Sequence, residues 1–193
     1  MKRLQKTIKK PKKITQERLN NIALYYLERF DSSVSNLRNV LLRRVNKAKL
    51  FHNDMNMEEV SLWIDEVIEK MISFGYVNDD RYAKNQIERL IQKGNSIKAI
   101  KSKLYGKGIS ADLINKYLKI YSEEMKDIDL VAAVKYLKKR RFWLYRSIDK
   151  REERKEKDMA ALVRNGFSYD IVSKLFSVQD IDELEDILDS KDI

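Results

Sequence analysis

The sequence predicts an all-α protein, a tandem array of three three-helix units forming an elongated, curved body with no β-sheet. Three observations predict it. Glycine (5) and proline (1) are too scarce among the 193 residues for the tight turns of an all-β fold. Apolar residues recur at three- and four-residue spacing, and no segment alternates with the period of two that marks a half-buried strand. A pattern of helix, glycine, small capping residue and helix also repeats. LYGKGISADLI (Leu104–Ile114) aligns with LVRNGFSYDIV (Leu162–Val172), with Leu, Gly, Ser and Asp at the same offsets. ALYYLERF (Ala23–Phe30) resembles AVKYLKKR (Ala133–Arg140), and Ala83 to Arg89 repeats the spacing of Ala23 to Arg29.

Residues 1–13 read as a disordered basic tail, because like charges repel and little apolar surface is available to bury. The tail is either solubilising or a phosphate-binding arm. Ile22, Tyr25, Tyr26 and Arg29 mark the first helix, which Asp31, Ser32 and Ser33 end while capping the next. Leu37, Val40, Leu41, Arg44 and Val45 mark the second, and Lys47–Asn56 reads as a polar loop. Val60, Trp63, Ile64, Val67, Ile68, Met71 and Ile72 form the clearest amphipathic stripe, with Trp63 placed in the core. Gly75 is expected as its left-handed C-cap, with Tyr76 folding back toward Met71.

The stretch FGYVNDDRYAKN then raises a chemical question, because Asp79 and Asp80 are adjacent carboxylates. Asn78 or Asp79 falls where the next helix needs an N-cap, and no polarising partner accompanies the pair, so capping is the reading. That helix runs through Ala83, Ile87 and Leu90. Ile97, Ile100 and Leu104 form a short stripe closed by Gly106 and Gly108. Ser110 caps a helix carrying Leu113, Ile114, Tyr117, Leu118 and Tyr121. Asp127 or Asp129 starts another, with Leu130, Val131, Val134 and Leu137, and KKRRFWLYR straddles its end. The charged run 149–158 leads to Met159, Leu162 and Val163. Gly166 ends that helix, Ser168 caps the next, and an acidic helix with Ile181, Leu184 and Leu188 closes the chain. About nine helices result. The units are expected at 14–75, 76–126 and 127–178, with 179–193 as an acidic C-terminal helix or tail.

Charge narrows the function. The net charge is +10, and charged residues are 36% of the chain. Residues 2–13 are purely basic and the segment from Asp170 onward is acidic, leaving a body of about +9 that seeks polyanions. With no cysteine, disulfides and thiolate metal sites are excluded. His52, the single histidine, would need carboxylates for every other ligand of a zinc site. No phosphate loop of the G-x-x-x-x-G-K-[ST] type is present. The longest apolar run, Ile22–Leu27, is far short of the ~20 residues of a membrane span. A non-enzymatic, cytoplasmic monomer without cofactor or membrane partner is expected.

The sequence resembles the RecX family, regulators of the RecA recombinase. The carriers are Gly75-Tyr76-Val77-Asn78-Asp79-Asp80-Arg81-Tyr82-Ala83 and Lys107-Gly108-Ile109-Ser110, with Lys93-Gly94, Ile100 and Leu104 between them. Ala23-Leu24-Tyr25-Tyr26-Leu27-Glu28-Arg29 followed by Ser35 looks like the family's opening, and Leu162 with Gly166-Phe167 matches more weakly. Ala99 and Lys103 depart from it, since the family usually carries a basic and often an acidic residue there. The resemblance implies binding in the groove of the RecA–DNA filament, across several protomers. It also implies lower RecA ATPase and strand exchange, less filament growth and weaker repressor self-cleavage. DNA repair and the SOS response would be modulated in consequence. A general nucleic-acid-binding protein acting without RecA is the alternative, with residues 96–106 and 111–123 as a helix-turn-helix.

Candidate contact residues follow from the basic clusters. Unit one offers Arg38, Arg43 and Arg44. Unit two offers Arg89, Lys93, Lys98, Lys101, Lys103 and Lys107, with Lys98 and Lys101 turned from the apolar stripe. Unit three offers Lys138, Lys139, Arg140, Arg141 and Arg146, interleaved with Phe142, Trp143 and Tyr145. They form either a face toward RecA acids and DNA phosphates or ordinary solvated helix faces. The aromatics either stack bases or pack between helices. DNA binding by such a face is weaker than filament binding and falls with salt. The acidic end is either a solvated face or an autoinhibitory cover of the basic groove.

Overall fold

The computed structural model describes residues 11–124 and 127–189. The described residues contain ten α-helices and two 3₁₀ turns, with no strand. The all-α reading therefore holds. Most of the expected basic tail lies outside the described residues. Lys13 is within them and pairs with Asp54 at 2.7 Å, both side chains being exposed. The chain divides into two compact units, Met1–Tyr82 and Ala83–Ile193.

In the first unit, α1 (Gln16–Leu27), α2 (Val34–Lys49) and α3 (Met57–Ser73) close one core. The stripes meet there: Leu19 and Ala23 from α1, Leu37, Leu41 and Val45 from α2, Ile64, Val67 and Met71 from α3. Leu37 and Leu41 are 0% exposed, and truncating either to alanine costs about 2–5 kcal/mol. Helix α2 runs to Lys49, past the point where the sequence suggested a loop, because Ala48 continues the Leu41/Val45 stripe into the core. Trp63 is half-buried at the edge of this core and Ile72 is exposed, so the stripe of α3 is narrower than its apolar residues. Tyr26 is half-buried, whereas Tyr25 is exposed; neither tyrosine is fully buried.

Side-chain caps begin the helices as expected. Ser33 Oγ accepts from Asn36 N at 3.1 Å, and Asn78 Oδ1 accepts from Arg81 N at 2.9 Å. Both bonds satisfy backbone donors that a helix start leaves unpaired. At the end of α3, Gly75 N donates to Ile72 O at 2.9 Å and Tyr76 N to Met71 O at 3.0 Å. This is the two-bond closure expected of a left-handed C-cap.

Most of α4 (Asp79–Gln92) and helices α5 (Ile97–Tyr105), α6 (Ala111–Glu124), α7 (Ile128–Arg140), α8 (Arg151–Arg164), α9 (Tyr169–Ser177) and α10 (Ile181–Asp189) belong to the second unit. Ile87 of α4, Ile100 and Leu104 of α5 and Ile114 of α6 are fully buried. A larger cluster joins Val134 and Leu137 of α7, Leu162 of α8, Val172 and Leu175 of α9, and Leu184 of α10. The acidic C-terminal helix is thus packed into this core through Leu184, Ile187 and Leu188. The α8–α9 turn seats against the start of α5. Ser96 Oγ donates to Asn165 O at 2.6 Å, and a Cβ on Gly166 (φ +92°) would lie 2.7 Å from Ser96 Oγ. Only glycine allows this approach together with this backbone angle.

Candidate functional site

Asp79, the first of the adjacent carboxylates, has a structural role. Asp79 Oδ1 accepts from Val34 N at 2.8 Å, so the first residue of α4 caps the start of α2. The second unit repeats the device. Asp129, near the start of α7, accepts from Ile97 N, the first residue of α5, at 2.7 Å. Each carboxylate meets a backbone donor beside a serine N-cap, where the helix N-terminus also favours negative charge. Burial pushes the Asp129 carboxyl pKa up, opposed by that hydrogen bond.

The basic candidates differ in exposure and in the partners they meet. On α2, Arg38 is ion-paired to Asp65 of α3, while Arg43 and Arg44 are exposed. Around α4 and α5, Arg89 Nη2 donates to Gln86 Oε1 at 2.5 Å and Lys103 to Asn95, while Lys93 and Lys107 are exposed. Lys98 lays its stem beside Gly166 and remains exposed; Lys101 is half-buried rather than solvent-facing. At the end of α7, Lys138, Lys139 and Arg140 complement the negative helix terminus. Lys138 Nζ also pairs with Glu185 Oε2 of α10 at 2.6 Å, and Arg140 stacks on Tyr136 at 5.5 Å. The Lys138 bond, then the Tyr145 hydroxyl at 2.7 Å, holds the Glu185 carboxyl below the ordinary range. Burial and Glu185 together push the Tyr145 hydroxyl up. Lys139 and Arg141 are exposed, with Arg141 in the left-handed region at φ 54°.

Arg146 is a structural cation. Its Nη2 donates to both carboxylate oxygens of Asp158, at 2.8 and 3.1 Å, and Asp158 is only 3% exposed. Asp158 also accepts from Trp143 N at 3.1 Å, and Arg151 donates to the carbonyls of Leu144 and Arg146 at 2.7 and 2.9 Å. These bonds fix the 143–146 turn. Trp143 itself is buried, 5.2 Å from Phe176 in a stacked pair, and Phe142 and Tyr145 are half-buried. Of the two readings of these aromatics, packing between elements is the one observed.

Sequence reasoning missed a hollow between α1 and α2 of the first unit, lined by Arg18, Tyr25, Arg29, Phe30 and Arg44 among others. The stripe Ile22, Tyr25, Tyr26 and Arg29 marks the first helix in the sequence, but helical spacing alone does not reveal the second wall that α2 supplies. Among the described residues, no group of three or more His, Asp or Glu side chains is placed to hold a metal ion. His52 Nε2 sits 2.9 Å from the carbonyl of Pro11. No helix of the described residues is long and apolar enough to cross a membrane.

A family model described as the second three-helix domain of RecX matches residues 78–118. Over 168 residues the chain is 34% identical to the regulatory protein RecX of Myxococcus xanthus, covering 86% of this chain and 88% of that one. Against the regulatory protein RecX of Agrobacterium fabrum it is 30% identical over 168 residues, covering 87% and 86%. The crystal structure of RecX from Lactobacillus salivarius shares the fold with a TM-score of 0.55 at 23% identity, covering 88% of this chain and 96% of that one. A second crystal structure of regulatory protein RecX gives a TM-score of 0.56 at 20% identity, covering 84% and 71%. The span and level of these likenesses place the chain in the RecX family of regulatory proteins.

Proposed function

We propose that this chain regulates RecA without chemistry of its own, by binding in the groove of the RecA–DNA filament. It lowers the filament's ATPase, strand exchange and co-protease activity, and so modulates DNA repair and the SOS response. The observation that carries the reading is family membership across most of the chain, with the match centred on residues 78–118. The basic charge of +10 suits a polyanionic partner. The chain acts as three three-helix units in the cytoplasm, as a monomer. Its contact face is drawn from the exposed cations Arg43, Arg44, Lys93, Lys98, Lys139 and Arg141. Arg38, Lys138 and Arg146 serve mainly as intramolecular partners.

The test is RecA ATPase on single-stranded DNA with this protein added below the RecA concentration. Inhibition at substoichiometric ratios supports action on the filament. Inhibition only at amounts that coat the DNA points instead to competition for phosphates. No inhibition at any ratio overturns the proposal.

A further inference from the structure

The hollow between α1 and α2 has a volume of about 510 Å³, and a second of about 360 Å³ shares Arg18, Ile22 and Arg44 with it. The second adds Lys12 and Lys47. No acidic side chain among the described residues lines either. The result is one groove, cationic along its length and aromatic at one end.

Its cations lack carboxylate partners among the described residues, unlike Arg38 or Arg146. Among the described residues, Arg18 Nε is buried with no hydrogen-bond partner. A buried guanidinium edge without an acceptor is costly, and the Arg18 side chain lines both hollows, where an anion would gain from its charge. The aromatic end is built as well. Tyr26 Oη accepts from Asn36 Nδ2 at 2.8 Å, and its ring lies 5.2 Å from Phe30. The Arg29 guanidinium stacks 4.1 Å over Tyr25. Yet Tyr25 and Phe30 stay 57% and 55% exposed, an apolar area that the described residues do not cover.

We propose that this groove binds a nucleoside phosphate unit, with the base against Tyr25 and Phe30 and the phosphate on Arg18 and Arg44. A flat ring joined to an anion matches the two ends of the groove together. An acidic peptide would satisfy the arginines and leave the aromatic faces uncovered. Base stacking on such rings and guanidinium–phosphate pairing are both strong in partly desolvated sites. The unit comes either from a free nucleotide or from one residue of a single strand. The proposal goes beyond the filament reading and does not involve RecA.

The experiment uses the full chain without RecA. Binding of ATP is followed by calorimetry, binding of a fluorescein-labelled oligo-dT by anisotropy, and polyglutamate is titrated in parallel. Tyr25→Ala should weaken the bound nucleotide probe about five- to a hundredfold, the range of one base stack, and Arg44→Gln about ten- to a hundredfold, the range of a hydrogen bond to a charged group. Tyr25→Phe, which keeps the ring, should retain binding, as should Lys157→Gln, which removes an exposed charge elsewhere. For the oligonucleotide, Arg44→Gln should also reduce the salt slope by about 0.7. Both substituted side chains are exposed, and circular dichroism confirms each variant is folded. Binding of ATP alone assigns a free nucleotide, and binding of oligo-dT alone assigns a strand; either supports the groove if the variants respond as stated. Nucleotide binding absent, or unchanged in both variants, overturns it. So does polyglutamate binding that depends on Arg44 while no nucleotide probe binds.

Discussion

Replacing Asp158 with alanine tests whether Arg146 belongs to the structure or to the contact face. Asp158 is 3% exposed and holds the Arg146 guanidinium and the Trp143 N–H. Removing it leaves a partly buried cation and a buried donor without an acceptor. Breaking a buried pair in this way costs about 3–5 kcal/mol. The Arg146 side chain keeps 23% exposure, so water recovers part of its solvation and the lower end applies, about 3 kcal/mol. At roughly 4 °C per kcal/mol for a unit of this size, the midpoint should fall by about 12 °C. Thermal unfolding is followed by Trp143 fluorescence in a Trp63→Phe background, since the chain has two tryptophans. Asp158→Asn keeps an acceptor for Trp143 N and should cost clearly less. Asp158→Ala combined with Arg146→Ala should fall short of the sum of the single losses by about 1 kcal/mol or more, because the two residues are in contact. A shift of less than about 2 °C for Asp158→Ala would refute the reasoning and return Arg146 to the candidate face.

Asp129→Ala should lower the midpoint of the second unit by the worth of one cap, about 1 kcal/mol. Asp129→Asn should lose less, because burial already disfavours the charged form and the amide oxygen still accepts from Ile97 N; equal losses in the two variants would contradict the capping role. The α7–α10 tie should be acid-sensitive. The folded Glu185 carboxyl is held below its ordinary range, so its contribution is present above that range and lost as pH falls through the folded value. The pair is partly exposed, so the loss stays below about 1 kcal/mol. Glu185→Gln should remove that component of the acid unfolding curve, and an unchanged curve would show that the pair contributes nothing.

Local physics was legible in the sequence, and long-range pairing was not. Ser33, Asn78, Ser96, Ser110 and Ser168 stand beside helix starts where their oxygens accept from backbone donors three residues on. Such bonds depend only on neighbours in sequence, and the apolar stripes likewise depend only on helical spacing. Asp79 and Asp129 illustrate the limit. Each was read as starting its own helix, yet each spans to a helix start more than 30 residues away. Asp158 ends the charged run 149–158, and its burial shows only when the 143–146 turn closes over it. The basic cluster at 138–146 looked uniform, whereas Glu185 and Asp158 engage two of its members. The α1–α2 groove was invisible for the same reason: its two walls come from different helices.

The acidic helix α10 also has a more definite place than a loose cover. Leu184 is 0% exposed in the core, and Lys138 and Tyr145 hold Glu185. Deleting residues 179–193 would therefore remove part of that core along with the charge.

The most direct test of the central claim is co-sedimentation with preformed RecA filaments on poly-dT, held by a slowly hydrolysed ATP analogue. A parallel sample contains poly-dT without RecA, and both are run at a salt concentration that suppresses simple phosphate binding. The account predicts that this chain pellets with the filament, saturating below one molecule per RecA, and stays in solution with poly-dT alone. Equal pelleting in the two samples, or none with the filament, would contradict it.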